Sequence, residues 1–145
     1  MKALIQRVTQ ARVTVDNVTI GAINQGLLVL VGIDPDDAAS DIDKMAHRLL
    51  NYRVFADTEG RMNLNVQQVE GGVLLVPQFT LSAHTRKGLR PSFKSAASPE
   101  QGQQVFTALI EVLQQRYSPV ETGQFGANMQ VSLTNDGPVT FLLDH

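Results

Sequence analysis

An α+β domain, with two helices packed on mostly antiparallel strands, is the fold class this chain predicts. Three observations predict it. Strand-like apolar stretches occupy both ends, from Ala3 to Ile33 and from Met129 to Leu143. Two segments between them carry apolar residues at helical spacing behind a capping residue. No repeat, low-complexity tract or linker divides the 145 residues, a length that fits one domain spanning 1–145.

The elements follow in order. Ala3 to Thr9 reads as a first strand. Val13 and Val15 alternate with Thr14, and Val18 and Ile20 continue the apolar pattern past Asp16-Asn17. Gly26 to Ile33 is almost continuously apolar, as a strand buried on both faces requires. Asp34-Pro35-Asp36-Asp37 breaks the chain. Ser40 is the expected N-cap of a first helix, with Asp41 and Asp43 in its first turn. Ile42, Met45, Ala46, Leu49 and Leu50 form its apolar face. Short extended pieces are expected at Arg53 to Phe55 and at Leu64 to Val66, and a buried strand from Val73 to Phe79.

Residues 82 to 97 read as a long loop, and long loops in compact domains are usually functional or mobile. Ser98-Pro99-Glu100-Gln101 then combines an N-cap, Pro at the first helical position and Gln at the third. The helix it opens carries Val105, Leu109, Val112 and Leu113 on one face and stops before Pro119. The last third is expected to be a hairpin, Met129 to Leu133 and Val139 to Leu143, about a turn at Asn135-Asp136-Gly137-Pro138.

Composition narrows the function. Hydrophobic residues make up 43% and charged residues 18%, a globular balance. A chain of this size buries about 70% of its unfolded surface, enough for a self-sufficient core. With no Trp and 6% aromatics, that core is mainly aliphatic. The formal net charge of −2 is not that of a protein that coats nucleic acid non-specifically, and no DNA partner is expected. With no Cys there is no disulfide framework, zinc-thiolate site or thiol nucleophile. The longest apolar run, Leu27 to Val31, is far short of the ~20 residues of a membrane span. A soluble cytoplasmic protein is the expectation.

Conventional catalytic groups are scarce. His47 falls on the first helix, His84 in the basic loop and His145 at the terminus, all read as solvated. No His, Asp or Glu cluster has metal-ligand spacing, and neither a metal nor another cofactor is expected. Asp36-Asp37 and Asp41-Asp43 are explained by a turn and a helix start. There is no GxSxG elbow, P-loop or dinucleotide fingerprint. Thr80 is a candidate nucleophile, but a Thr hydroxyl needs a neighbouring base or a free amine, and the sequence offers neither nearby. Its plain role is to satisfy backbone groups at a strand end. The backbone N–H groups of Gln78, Phe79 and Thr80 could instead form an oxyanion hole, which needs no titrating group.

Two segments carry the most information. Pro77-Gln78-Phe79-Thr80-Leu81 ends the apolar run from Gly72, and Asn135-Asp136-Gly137-Pro138-Val139-Thr140 reads as a tight turn between two strands. Gly leaves room for a close partner, and Pro makes a cis bond accessible at about 0.5–1 kcal/mol. Together they resemble the D-aminoacyl-tRNA deacylase family (D-tyrosyl-tRNA(Tyr) deacylases), which pairs a QFTL-type strand end with a GPVT-type turn. Ala3 to Thr9, Gly60 to Val66, Arg90-Pro91-Ser92-Phe93 and Met129 to Leu133 also match its pattern, so the resemblance runs along the whole chain.

The resemblance implies a compact β-barrel-like core, a homodimer, and hydrolysis of the ester joining a D-amino acid, or glycine, to the tRNA 3′ end. The substrate's own 2′-hydroxyl assists the attacking water. It implies that Arg7 braces the Gly137-Pro138 turn in its cis form, that this turn reaches the partner subunit's Gln78-Phe79-Thr80 segment, and that Met129 lines the aminoacyl pocket. From the residues alone, Arg7 also reads as an edge-strand surface residue and Met129 as a core residue. The family commonly has Ser where this chain has Pro77, which removes a hydroxyl and one N–H. Arg86, Lys87, Arg90 and Lys94, four of the 12 basic residues, cluster in the long loop and suit an anionic partner such as the tRNA acceptor stem. A solvated loop is the plainer reading. A Thr80-dependent esterase and a non-catalytic RNA-binding module remain the alternatives.

Overall fold

The computed structural model describes residues 1–144; His145 lies outside them. Eight strands and two α-helices follow in the order β1 (Lys2–Val15), β2 (Val18–Ile23), β3 (Gly26–Gly32), α1 (Ala39–Asn51), β4 (Phe55–Ala56), β5 (Met62–Leu64), β6 (Gly72–Pro77), α2 (Pro99–Arg116), β7 (Val120–Thr122) and β8 (Gln130–Asp144). A 3-10 turn, Phe79–Ser82, directly follows β6.

β1 organises the sheet. β8 runs antiparallel along one of its edges, while β3 and then β2 share the other. Asp16 and Asn17 both have positive φ, 48° and 63°, which makes the β1–β2 link a two-residue hairpin turn of the kind that matches strand twist. The sheet is mixed rather than nearly all antiparallel, because β3–β6 and β6–β7 are parallel pairs. The reason is connectivity: α1 lies between β3 and β6, and α2 between β6 and β7, and helical crossovers join parallel strands. Gly21 lets β2 come against β7, since a Cβ there would sit 2.7 Å from the Thr122 carbonyl oxygen. The sheet thus curls into a nearly closed barrel.

The continuous apolar runs are explained by burial on two faces. Leu27, Val29, Val73 and Leu75 pack towards the helices with Met45, Leu49, Phe106, Leu109 and Leu113. Leu28, Leu74 and Val76 point the other way, to Val8, Ala11, Val13 and Ile23 inside the barrel. The helix faces are those the spacing predicts, with Phe106 added and Val105 and Val112 only partly buried. Ser98 caps α2 by accepting from the Gln101 N–H at 3.2 Å. Ser40 is not the cap of α1. The helix starts at Ala39, and the Asp41 carboxylate accepts from the Ala38 N–H at 2.9 Å instead.

The expected C-terminal hairpin does not form. Residues 130–134 and 140–144 both pair with β1 in the same sense, so β8 is one long strand. Gln6 pairs with Thr140 and Val8 with Asn135, so Asp136 to Val139 stand opposite the single residue Arg7. The Gly-Pro segment is therefore a bulge in a continuous strand, not the tip of a hairpin. Turn-forming residues are common to both, and only the long-range register distinguishes them.

Candidate active site

A cavity of about 420 Å³ opens where β6 runs into the 3-10 turn. Val31, Val76, Phe106, Phe125, Met129 and Val131 supply much of its apolar wall, and Pro77, Gln78 and Phe79 one side of its rim. Gly102 allows the Phe125 ring to lie on α2, since a Cβ there would be 3.1 Å from Cζ. Among the described residues, the lining holds no Asp, Glu, His, Lys, Arg or Tyr. Among the described residues, no three His, Asp or Glu side chains group as a metal site.

The polar equipment of the cavity is mostly backbone. Pro77 has no N–H, and the Gln78 N–H donates to the Val31 carbonyl at 2.7 Å. Gln78 is therefore not a third oxyanion donor. Phe79 and Thr80 open the 3-10 turn, and the first N–H groups of a helix have no intrahelical acceptor. The Gln78 side-chain amide contacts the Thr80 hydroxyl, which orients that hydroxyl without a base beside it. Of the expected residues, Gln78, Phe79 and Met129 line the cavity, and Thr80 follows directly at its edge. The Met129 sulfur also accepts a weak 3.4 Å contact from the Gln124 N–H, which fixes the chain around the wall.

The basic loop is tied to this rim. The Phe93 ring meets Phe79 at 5.1 Å between centroids, and both are substantially exposed, at 43% and 56%. His84 and Ser92 pair across the loop, and Ser95 Oγ donates to the Ser82 carbonyl at 2.6 Å. Arg86, Lys87, Arg90 and Lys94 are all exposed.

A second cluster forms around the bulge. Arg7 Nε donates to the Asp136 carbonyl at 3.0 Å, and its NH1 to the Val54 carbonyl at 2.7 Å. Its side chain is mostly buried, so the surface reading of Arg7 does not hold. The Gly137–Pro138 peptide bond is cis, Gly137 has φ +136°, and both residues are exposed. Asn135 closes the bulge: its Oδ1 accepts from the Val139 N–H at 3.0 Å, and its Nδ2 donates to Thr140 Oγ1 at 2.8 Å. Asn135, Thr140 and Val54 were not expected as parts of this cluster. Asn135 and Thr140 bounded the segment that the sequence singles out, but neither was assigned a role there.

Within one chain the two clusters do not meet. β8, β1, β3 and β6 are successive neighbours, and Arg7 pairs with Leu27 of β3 whereas Pro77 pairs with Val31. Three strand spacings and four residues of offset place the bulge on the order of 15–20 Å from the cavity rim.

Sequence relationships agree with this arrangement. The pattern of the D-Tyr-tRNA(Tyr) deacylase family matches residues 4–144, and the chain belongs to that family. It is 62% identical over 144 residues to a D-aminoacyl-tRNA deacylase of Azotobacter vinelandii, covering 99% of each chain. It is 60% identical over 143 residues to one from Methylococcus capsulatus, covering 99% of this chain and 94% of that one. A solved structure of a c-Myc DNA unwinding element binding protein superposes with a TM-score of 0.95 at 40% identity, covering 100% of this chain and 99% of that one. A probable eukaryotic D-amino acid tRNA deacylase, 19% identical, shares the fold with a TM-score of 0.83, covering 99% and 98%.

Proposed function

We propose how this family's reaction is carried out by the two clusters. The chain is a D-aminoacyl-tRNA deacylase, a hydrolase that cleaves the ester between the amino acid and the tRNA. The observation that carries the mechanism is a cavity without an ionisable side chain that ends at two helix-start N–H groups. Such a site cannot supply a general base from its own walls. The aminoacyl-adenosine end enters the cavity beside Met129, and the substrate's 2′-hydroxyl orients the attacking water. As water adds, the ester carbonyl becomes a tetrahedral oxyanion, held by the N–H groups of Phe79 and Thr80, and the proton the water loses passes to the 2′-hydroxyl. Collapse of the oxyanion breaks the bond to the ribose 3′-oxygen, which takes a proton from the 2′-hydroxyl, and leaves free amino acid and tRNA.

Chirality is read by a second copy of the chain. β8 pairs with β1 on one side only, and such a long exposed edge invites another chain. In a homodimer the bulge of one protomer reaches the partner's cavity, which reconciles its distance from its own. Its backbone carbonyls accept from the substrate's amino group and leave space for hydrogen, but not a side chain, on the L face. Selection by exclusion admits many D-amino acids and also glycine, including glycine mischarged on tRNA(Ala). Arg86, Lys87, Arg90 and Lys94 contact phosphates of the acceptor stem. No helix among the described residues is long and apolar enough to cross a membrane, and a tRNA substrate supports a cytoplasmic site of action.

The test is hydrolysis of matched D- and L-tyrosyl-tRNA. We expect about a thousandfold preference for the D form, equivalent to roughly 4 kcal/mol. Equal rates would overturn the chiral function, and no rate on either would favour an RNA-binding module.

A further inference from the structure

We propose that Asn135 is a positioning residue that sets chiral selectivity by closing the bulge from the side opposite Arg7. The inference rests on the reading of the bulge as the chiral filter. Gly137 sits at φ +136°, in a region where its own backbone gives little restraint. The segment must therefore be held from outside. Arg7 grips its first carbonyl, that of Asp136, at 3.0 Å. Asn135 holds its far end twice over, through the N–H of buried Val139 at 3.0 Å and the Thr140 hydroxyl at 2.8 Å. Gln6 adds a longer 3.4 Å contact to the same hydroxyl from β1. Gly137 and Pro138 are left between two fixed ends.

An amide of this length supplies both contacts, Oδ1 accepting while Nδ2 donates. Ala loses both, whereas Asp keeps the acceptor for Val139 and meets the Thr140 hydroxyl as an acceptor in place of a donor. A filter that works by exclusion is sensitive to small displacements, because about 1 Å at a reacting centre can change rates by roughly a hundredfold.

The experiment measures kcat/KM on D- and L-tyrosyl-tRNA, with thermal melting, for Asn135→Ala, Asn135→Asp and Thr140→Val. Asn135→Ala should lower the D/L ratio at least about tenfold, the range of one or two lost hydrogen bonds. Thr140→Val removes the 2.8 Å contact together with the longer one from Gln6 and should lower the ratio by about threefold, whereas Asn135→Asp, to whose carboxylate the Thr140 hydroxyl can itself donate, should lower it less. A folded Asn135→Ala protein with the wild-type ratio, even at a reduced overall rate, overturns the proposal and leaves Asn135 a structural residue. If Asn135→Ala does not fold, a wild-type ratio in Thr140→Val overturns it. Absence of a D preference in the wild-type protein refutes the filter itself, and is seen before any variant is assayed.

Discussion

Phe79 occupies the first position of the 3-10 turn, where a helix accepts proline without distortion. That makes an unusually direct test of a backbone catalytic group. Phe79→Pro removes the N–H and the ring, whereas Phe79→Ala removes the ring alone. If the N–H holds the oxyanion, Phe79→Pro should lose a further roughly 10²–10³ in kcat beyond Phe79→Ala, the usual cost of one oxyanion donor. Thr80→Ala should cost less than about a hundredfold, while a 2′-deoxy terminal adenosine should cost more. A covalent acyl-Thr80 species, or equal rates for the two Phe79 variants, would contradict the mechanism. Gly137 is as constrained in a different way. A Cβ there would lie 2.6 Å from Val139 Cγ2 and 2.9 Å from the Val139 nitrogen, at φ +136°. Gly137→Ala should therefore displace the bulge and lower kcat/KM on D-tyrosyl- and glycyl-tRNA together, by tenfold or more on the scale of ~1 kcal/mol or greater backbone strain. Retained activity on both would separate the bulge from catalysis. At this scale Gly137 and the Gln78-Phe79-Thr80 backbone stood out as candidates for chemical reasons, whereas the role of Arg7 came only from the family resemblance, since its residue type alone reads equally as a surface strand residue. What was not legible is which hydrogen bonds are already occupied. That the Gln78 N–H serves Val31, and that Asn135 turns back on Val139, depends on strand register rather than on the residues themselves.

At the scale of elements, the loop of residues 83–97 behaves as an extension of the 3-10 turn. It is pinned by Phe93 on Phe79, by Ser95 on Ser82 and by the Ala97 N–H on the Ile33 carbonyl at 3.2 Å. Its four basic side chains remain solvated. Charge reversal at Arg86 and Lys87 should weaken tRNA binding and flatten its salt dependence by roughly one unit of log–log slope per lost phosphate contact. The D/L ratio should change little, because phosphate contacts position rather than specify. An unchanged affinity and slope would leave the loop without an RNA role. Helices were the most readable elements, since apolar spacing and the Ser98-Pro99 cap are local signals. β8 was the least readable. Its bulge residues are those of a hairpin turn, and only pairing with β1, more than a hundred residues away, shows that the chain continues straight. The parallel pairs of β6 were hidden for the same reason, because crossover sense belongs to topology and not to strand composition.

The whole molecule poses the problem that its two functional clusters lie on different parts of one barrel. Within one chain the Gly137-Pro138 bulge and the cavity stand apart. In the proposed homodimer a twofold axis would send each bulge to the other protomer's cavity and make both sites identical. Long-range order within each protomer supports such precision. The Asp34 carboxylate illustrates it: burial pushes it up, but hydrogen bonds from Lys2, Ser82 and the α-ammonium of Met1 outweigh burial and hold it below the usual carboxylate range. Those contacts from Met1 and Lys2 tie the chain just after β3 to the start of β1, and Ser82 Oγ, donating to the neighbouring Ile33 carbonyl at 3.3 Å, joins the 3-10 turn to the same point. The shared site makes a quantitative prediction. Phe79→Pro damages the cavity of its own chain, and Gly137→Ala damages the bulge offered to the partner. In a mixed dimer, one site receives both lesions and the other receives neither. Random reassortment of the two inactive variants should thus restore about a quarter of wild-type D-tyrosyl-tRNA hydrolysis, since half the dimers are mixed and each has one intact site. The measurement requires subunit exchange confirmed by differential tags. Mixed dimers that stay as inactive as either parent would show that each protomer builds its site alone, and the bulge would need another role.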